Sequence, residues 1–191
     1  LVPGPATQDG LGTGAYDAKI SAASCDLVLQ ALSFMKKHPS QGGPEVMDMP
    51  QFWHPNLNWY GPAGIGSARG IQAFRDWHQI PFIAAMPDRG LYPTEISAHF
   101  FADGPYVAVT GWPNMAQTLS HSGWLGIAPP NAKITLRSLD FWRVEAGKIR
   151  ENWVLVDLMD LYQQIGVDAL SRMREFNKSR SGFDPDTGQA L

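Results

Sequence analysis

The segment LDFWRVEAGKIRENWVLVD, residues 139–157, decides the fold of this chain. It lies within two extended runs, 133–144 and 148–157, that are rich in Val, Ile and aromatic residues, the composition of β-strands. Between the runs, the residues EAGK (145–148) have the composition of a hairpin turn. The segment therefore predicts two antiparallel strands that are neighbours in a sheet.

The chain before this hairpin has helices first and strands afterwards. Apolar residues recur at helical spacing over 17–37, and Ser67 is the expected cap of a second helix that reaches residue 82. A short strand is expected within 52–60, and two further extended runs cover 94–101 and 106–117. This order indicates an α+β layer fold, in which a strongly bent sheet wraps the helices and leaves a hollow between them.

The two ends of the chain have little to bury. Residues 1–15 are rich in Gly, Pro and Thr and are expected to form a flexible arm, and the polar residues 177–191 are expected to form a loose tail. The remaining residues, 16–176, then form one domain, which suits a chain of 191 residues. A helix of one or two turns is expected to close the domain over 157–165.

Composition excludes several classes of function. The formal net charge is −3 without a run of Lys or Arg, so nucleic acid is not an expected partner. No apolar stretch reaches the ~18 residues of a membrane-spanning helix. The single cysteine, Cys25, cannot form an internal disulfide and favours a reducing compartment, the cytoplasm. The five histidines have no metal-ligand spacing, so no metal or cofactor is expected.

Three pieces of the last third occur together and in a specific order. They are SHSGWLGIAPP (120–130), the strand and hairpin LDFWRVEAGKI (139–149), and ENW (151–153) followed by Asp157. In this order they resemble the SnoaL-like polyketide cyclase family of the NTF2-like superfamily. That family's pattern is Gly-x-x-Gly-Ile-x-Pro, a Gly-Lys-Ile hairpin, Glu-x-Trp, and an Asp four residues after the Trp.

The resemblance implies both a shape and an activity. The implied fold is an NTF2-like cone, a strongly curved antiparallel sheet around N-terminal helices that encloses a pocket, and such proteins are commonly homodimers. The implied activity is cofactor-independent, aldol-type ring closure of a polyketide ester with an aspartate as the acid/base group. The superfamily also contains binding proteins, so the fold by itself does not fix the function.

Asp157 is the first candidate for the acid/base group. In a strand, Glu151, Trp153 and Asp157 share one face, and a carboxylate beside a Trp is desolvated, which raises its pKa towards the range useful for proton transfer. Asp157 also precedes the expected last helix and is a natural N-cap there. Spacing leaves both roles open, and the resemblance favours the acid/base role.

Three histidines are candidates for a proton relay or a pocket wall. His121 lies in an irregular connection beside glycine and could reach into a cavity, or it could be an exposed loop residue. His78 falls on the apolar helix face with Ile71 and Phe74, as a core histidine or as part of the pocket wall. His54 could line the cavity mouth or pack in a turn. We therefore take His121 and His78 as catalytic candidates and His54 as a ligand-binding one.

Other charged residues allow similar alternatives. Asp140 could join Asp157 as a second carboxylate in the pocket, since two carboxylates in one site push their pKa values apart. Asp140 could equally be a hydrogen-bonded residue of the sheet. Asp88 and Arg89, which precede a glycine, are interpreted as an ion-paired loop end.

The chain has seven tryptophans, most of which are expected in the core. Trp59, Trp124 and Trp153 are the candidates for shaping a ligand pocket.

Two functions from different classes remain open. The first is a cofactor-independent enzyme that uses acid/base chemistry, as a cyclase, isomerase or dehydratase, on a hydrophobic small molecule with a carbonyl group. The second is a non-catalytic, dimeric NTF2-like protein that binds a small ligand. The two differ in whether Asp157 and at least one histidine point into the same enclosed cavity.

Overall fold

The computed structural model describes residues 17–37, 42–122, 124–181, 186–187 and 189. The predicted flexible arm, residues 1–15, lies outside the described residues. The first helix, α1 (Ala18–Met35), begins after Asp17, whose side chain accepts a hydrogen bond from the backbone N–H of Lys19 at 2.8 Å. The helical period of the sequence over 17–37 is thus confirmed.

Short helices and six strands follow. After a 3₁₀ turn the elements are α2 (Met49–Phe52), β1 (Trp53–Tyr60), β2 (Ser67–Arg69), α3 (Gly70–Phe74), a π-helical segment (Arg75–Gln79), α4 (Ile80–Ala85), β3 (His99–Asp103), β4 (Tyr106–Leu119), β5 (Ala132–Glu145), β6 (Lys148–Val156), α5 (Leu158–Gln164) and α6 (Ala169–Ser181). None of these helices is long and apolar enough to cross a membrane, as far as the described residues go.

All six strands belong to one sheet, in the order β2-β1-β6-β5-β4-β3. The pairs are antiparallel, with the exception of β1 and β6, which run parallel and join the first strand of the chain to the last. The register is interrupted in β4 between Gly111 and Met115 and in β6 between Ile149 and Glu151, where Arg150 is the extra residue opposite Arg143 and Val144 of β5. Such irregularities bend strands and increase their twist, so they favour a curved sheet. The expected α+β fold with a curved sheet is confirmed.

Two apolar clusters lie between the helices and the sheet. The larger contains Val28 of α1 with Trp53, Trp59 and Trp142 of the strands. The second contains Phe82 of α4 with Trp124 and Leu161 of α5. Burial of these faces is the main stabilising contribution to the fold.

Three details differ from the expectation. Ser67 does not cap a helix: it starts the edge strand β2, which pairs with β1, and the helix begins only at Gly70, whose φ of +80° permits the tight change of direction. The strand expected over 94–101 starts later, at His99, because Pro93–Glu95 form a 3₁₀ turn. Helix α6 reaches Ser181 and so includes the first five residues of the expected tail.

Candidate active site

A cavity of about 290 Å³ lies between α1, the loop over residues 89–98 and the concave face of β4, β5 and β6. Most of its wall is apolar and includes Trp53, Phe74 and Trp142 from the larger core cluster. Because alternate residues of a strand point to one face, Ser138, Asp140 and Trp142 of β5 all point inward. The hollow expected between helices and sheet is therefore present, with a carboxylate in its wall.

Polar side chains cluster at one part of this wall. The hydroxyl of Ser138 donates to Oδ2 of Asp140 at 3.1 Å. The side-chain amide of Asn114 donates to the Ser138 Oγ at 2.8 Å and accepts from the Ser138 backbone N–H at 3.0 Å. Asn152 of β6 lines the same region, and its amide donates to the backbone oxygen of Phe141 at 3.1 Å. A network in which members hold one another fixes the orientation of the carboxylate.

The environment of Asp140 suits proton transfer. Burial raises the pKa of this carboxyl to about 6, although hydrogen bonds from Ser138 and Asn152 and the charge of Arg89 act to lower it. A carboxyl with such a pKa is mostly ionised at pH 7 and binds a proton more readily than an exposed aspartate. Asp140 is therefore the residue in the cavity best suited to act as a general base.

Arg89 brings a positive charge into the same cavity. Its loop is fixed because the Asp88 carboxylate accepts from the backbone N–H of Thr118 at 2.8 Å and from the hydroxyl of Tyr92 at 3.1 Å. Asp88 is thus bonded to Thr118 and Tyr92, which corrects the interpretation of Asp88 and Arg89 as an ion-paired loop end. The guanidinium of Arg89 lies 5.4 Å from the centre of the Phe82 ring.

Asp157 lies outside the cavity, which corrects the expectation that it faces the enclosed pocket. It is the N-cap of α5: its Oδ1 accepts from the backbone N–H of Asp160 at 3.0 Å, and its Oδ2 is 3.7 Å from Arg137. The three side chains border an open groove on the outside of the sheet. Asp140 and Asp157 are therefore not a carboxylate pair in one site, because β6 ends at Val156 and Asp157 follows in the register of Trp153 and Leu155, which face away from the cavity.

His78 lies in the aromatic core and does not line the cavity. Its ring stacks on Trp59 with centroids 4.2 Å apart, and Phe74 and Phe82 are each 5.5 Å away. Burial, together with the charge of Arg89, lowers the pKa of His78 to about 3, and its Nδ1 has no hydrogen-bond partner in the described structure. His78 is neutral at pH 7, so it cannot donate a proton as an imidazolium there.

The other two histidines also lie away from the cavity. His121 is exposed, and its Nδ1 is 2.8 Å from the Ser120 hydroxyl. The Nδ1 of His54, a residue of strand β1, accepts from the backbone N–H of Asn56 at 3.0 Å. His121 is thus an exposed residue, as the second of its two sequence interpretations has it, whereas His54 lies neither at the cavity nor in a turn.

The three candidate tryptophans pack elsewhere. Trp59 and Trp124 are buried in the two core clusters, Trp124 edge-on to Phe82. Trp153 is on the opposite face of β6 from Asn152 and stacks on Tyr60 with centroids 5.6 Å apart. Of the eight site candidates from the sequence, Asp140 alone lines the cavity. The tryptophans in the wall are Trp53 and Trp142.

Sequence reasoning missed Arg89, Asn114, Ser138 and Asn152. Alternation along β5 could have added Ser138 to Asp140, since both are inward at i and i+2. Nothing in the sequence indicates that the loop of Arg89 returns over the sheet, because the hydrogen bond from Thr118 that holds it is long-range. Among the described residues, no group of three His, Cys, Asp or Glu side chains is arranged to hold a metal ion.

Comparison with known proteins identifies the family. A model of the SnoaL-like polyketide cyclases matches residues 41–165, more than half of the chain. The chain belongs to the SnoaL-like polyketide cyclase family. The matched residues contain the whole sheet and every polar group of the cavity described above. No curated protein sequence matches this SnoaL-like chain.

Solved structures agree with the NTF2-like fold of the family. A proposed SnoaL-like polyketide cyclase from Jannaschia sp. CCS1 is 14% identical, with a TM-score of 0.64, over 80% of this chain and 97% of its own. IdmH, a proposed polyketide cyclase from Streptomyces antibioticus, is 19% identical, with a TM-score of 0.55, over 73% and 98%. AclR, a proposed hydroxylase from Streptomyces galilaeus, is 16% identical, with a TM-score of 0.52, over 74% and 96%. At these identities the likeness concerns the fold alone.

Proposed function

We propose that this SnoaL-like protein is a cofactor-independent acid/base enzyme acting on a hydrophobic small molecule with a carbonyl group. The observation that carries the proposal is the position of Asp140, an inward carboxyl in a mostly apolar cavity with a pKa raised to about 6. Substrate would lie against Trp53, Phe74 and Trp142. The role first considered for Asp157 thus passes to Asp140.

In the proposed reaction the Asp140 carboxylate removes a proton from the carbon next to the carbonyl. The C–H electron pair moves towards the carbonyl oxygen and gives an enolate, and Asp140 becomes the neutral acid. Asn114 and Asn152 line the same region, and the second N–H of each amide has a partner only at 3.5 Å. These two N–H groups are the donors proposed to stabilise the oxygen's negative charge. Attack of the enolate carbon on a second carbonyl is a cyclisation, and return of the proton to another carbon is an isomerisation.

The size of the cavity limits the substrate. Ligand pockets commonly measure about 300–1,000 Å³, and the cavity here is about 290 Å³. This supports a compact substrate of one or two rings. An unsaturated or β-hydroxy ketone of that size would also allow a dehydration.

We also propose that the protein is a homodimer through the outer face of its sheet. One row of paired residues crosses this face of the sheet from β3 to β1 and consists of Phe101, Ala108, Phe141, Trp153 and Tyr60. Phe101 is 52% exposed and Phe141 40%, and Leu155 of the same face is 59% exposed. An exposed apolar sheet face of this kind favours association. We expect the enzyme to work in the cytoplasm, where the free thiol of Cys25 stays reduced.

The test of the enzyme proposal needs no knowledge of the natural substrate. The probe is 2-tetralone deuterated next to its carbonyl, and the measurement is its loss of deuterium to water by NMR. The wild-type protein is expected to accelerate this loss, and Asp140→Asn, which keeps the shape of the side chain, to reduce the acceleration by about 10²–10⁴-fold.

Asp157→Asn is the matched control, since it makes the same chemical change on a carboxylate outside the cavity, and it is expected to retain the wild-type rate. Binding of 2-tetralone is followed in parallel through the fluorescence of the wall tryptophans. Binding without any accelerated exchange would contradict the enzyme proposal and support a ligand-binding protein instead. Equal loss of rate in both variants would contradict the assignment of Asp140.

A further inference from the structure

Arg89 carries a positive charge at the cavity wall without a carboxylate partner. The other largely buried arginines of the described residues are paired: Arg75 with Glu45 at 3.1 Å, and Arg143 with Glu151 at 2.6 Å. No ion pair within 4.0 Å involves Arg89 in the described part of the chain, and its Nε has no hydrogen-bond partner there. Its Nη2 approaches only a weak acceptor, the sulfur of Met115, at 3.9 Å.

Such an arrangement is energetically unfavourable. Removing a cation from water without a close counter-charge destabilises a protein strongly. Burial accordingly lowers the pKa of Arg89, and only the more distant charge of Asp140 opposes this. The guanidinium, with its planar fork of donors, matches the geometry of a carboxylate. An anionic oxygen group bound at Arg89 would remove the cost.

A second group points to the same place. Gln117 is fully buried, and neither its amide nitrogen nor its amide oxygen has a partner among the described residues. It lines the cavity and lies two residues beyond Met115 on β4, so the two point to the same face. The hydrogen bond between Thr118 and Asp88 ties the Arg89 loop to this part of the strand. Gln117 and Arg89 therefore both line the cavity, and both have unused hydrogen-bonding capacity.

The charges of the whole cavity also favour an anion. Its wall contains two cationic side chains, Lys36 at the end of α1 and Arg89, against one carboxyl, Asp140. Lys36 is exposed at the cavity mouth. The chain as a whole has a net charge of −3, so this positive lining runs against the overall balance. An excess of positive charge in a cavity wall attracts anions and raises their local concentration.

We propose that the substrate of this cavity is a keto acid, whose carboxylate binds Arg89 beside Gln117 while its ketone lies at Asp140. The inference rests on the proposed function and adds the substrate class. The carboxylate anchors the molecule, and Asp140 acts on the carbon next to the ketone. A neutral ester of the same acid would lose the contact with the guanidinium.

The test uses one pair of probes that differ in charge alone. These are 3-benzoylpropionate and its methyl ester, titrated against the full chain with the quenching of tryptophan fluorescence as the signal. We expect the wild-type protein to bind the acid at least about tenfold more tightly than the ester. Arg89→Met should bring the ratio of the two dissociation constants close to one, and Arg89→Lys should keep part of the preference because it keeps the charge.

Arg137→Met, which removes an arginine on the outside of the sheet, is the matched control and should leave the ratio unchanged. Thermal melting shows that each variant is folded. A wild-type ratio near one, a ratio that survives Arg89→Met, or no saturable binding of either probe would each overturn the proposal. Deuterium loss from 2-tetralone, a neutral ketone, tests Asp140 separately, so a failure of the anion site leaves the enzyme proposal standing. If the enzyme proposal fails instead, the ratio of the two dissociation constants still tests the anion site, but the keto acid is then a ligand and not a substrate.

Discussion

Asp140 and Asp157 are two aspartates on the same β-hairpin with opposite surroundings. Asp140 is an inward residue of β5, bonded to Ser138 in an apolar cavity, and burial raises its pKa to about 6. Asp157 follows the end of β6, where it accepts from a backbone N–H of α5 and lies near Arg137 in contact with solvent. The surroundings of Asp140 disfavour its ionised form, whereas Asp157 caps the N-terminus of α5.

The difference shows that the strand face on which a carboxyl lies, and not the sequence motif around it, decides whether the carboxyl points into the cavity. Asp157 occupies the motif position that implies the acid/base role in the family resemblance, yet it lies beyond the last inward residue of β6. Asp140 lies on the inward face and has the environment that the role requires.

The largest expected effect concerns the ionisation of Asp140. In the proposed reaction the Asp140 carboxylate is the base, and its pKa is about 6, so the rate of deuterium loss should be level above pH 7 and should fall about tenfold per pH unit below 6. The rate is measured as kcat/KM from pH 4 to pH 8, with the uncatalysed rate subtracted. If the plot of kcat/KM against pH showed no change of slope near pH 6, the assignment of the base to Asp140 rather than Asp157 would be contradicted.

The next effect extends the comparison to a buried histidine, whose protonated form is a cation. The pKa of His78 is about 3 in the folded protein against 6.5 when exposed, so the unfolded chain binds the extra proton and folding stability is lost as the pH falls below 6.5. The stability of His78→Phe relative to wild type should therefore increase by about 2 kcal/mol between pH 7 and pH 5. Urea unfolding at both pH values measures it.

For His78 the control is His121→Gln, a change at an exposed histidine, which should leave the difference between the two pH values unchanged. If the curves of wild type and His78→Phe stay parallel, the histidine is not held neutral by its aromatic surroundings.

The smallest effect is that of the helix cap. Asp157→Ala removes the acceptor for the backbone N–H of Asp160 and should destabilise the protein by about 1 kcal/mol. The rate of deuterium loss should not change. Thermal or urea unfolding gives the first quantity, and the NMR exchange assay the second. A folded variant with a greatly reduced rate would show that Asp157 acts in the reaction after all.

Much of the fold could be predicted because it depends on local pattern. The helical spacing over 17–37 and the alternation along 139–157 each follow from the chain's own period, and α1, β5 and β6 lie close to their expected bounds. The prediction that Ser67 caps a helix is wrong. Serine is favoured at helix caps, but here the residue pairs with β1 and belongs to a strand. Tertiary contacts outweigh local preference at such positions.

The candidate site was less predictable because cavities are built from distant segments. Arg89 is held in the cavity wall because its neighbour Asp88 is hydrogen-bonded to Thr118 and Tyr92. No spacing in the sequence predicts the hydrogen bond with Thr118. The prediction that Trp59, Trp124 and Trp153 shape the pocket is wrong for a related reason. A tryptophan in a strand packs on whichever face its register gives it, so Trp142 lines the cavity while Trp153 stacks on Tyr60 outside.

The parallel pairing of β1 with β6 has a consequence for how the chain is made. Tyr60 and Glu151, whose side chains are hydrogen-bonded across this pairing, are 91 positions apart. Strand β1 therefore cannot pair with β6 until β6 has left the ribosome. Contacts of such long sequence separation form slowly. During synthesis the backbone groups of β1 that pair with β6 lack their partners, so nascent chains stalled before residue 148 should be the ones that chaperones bind.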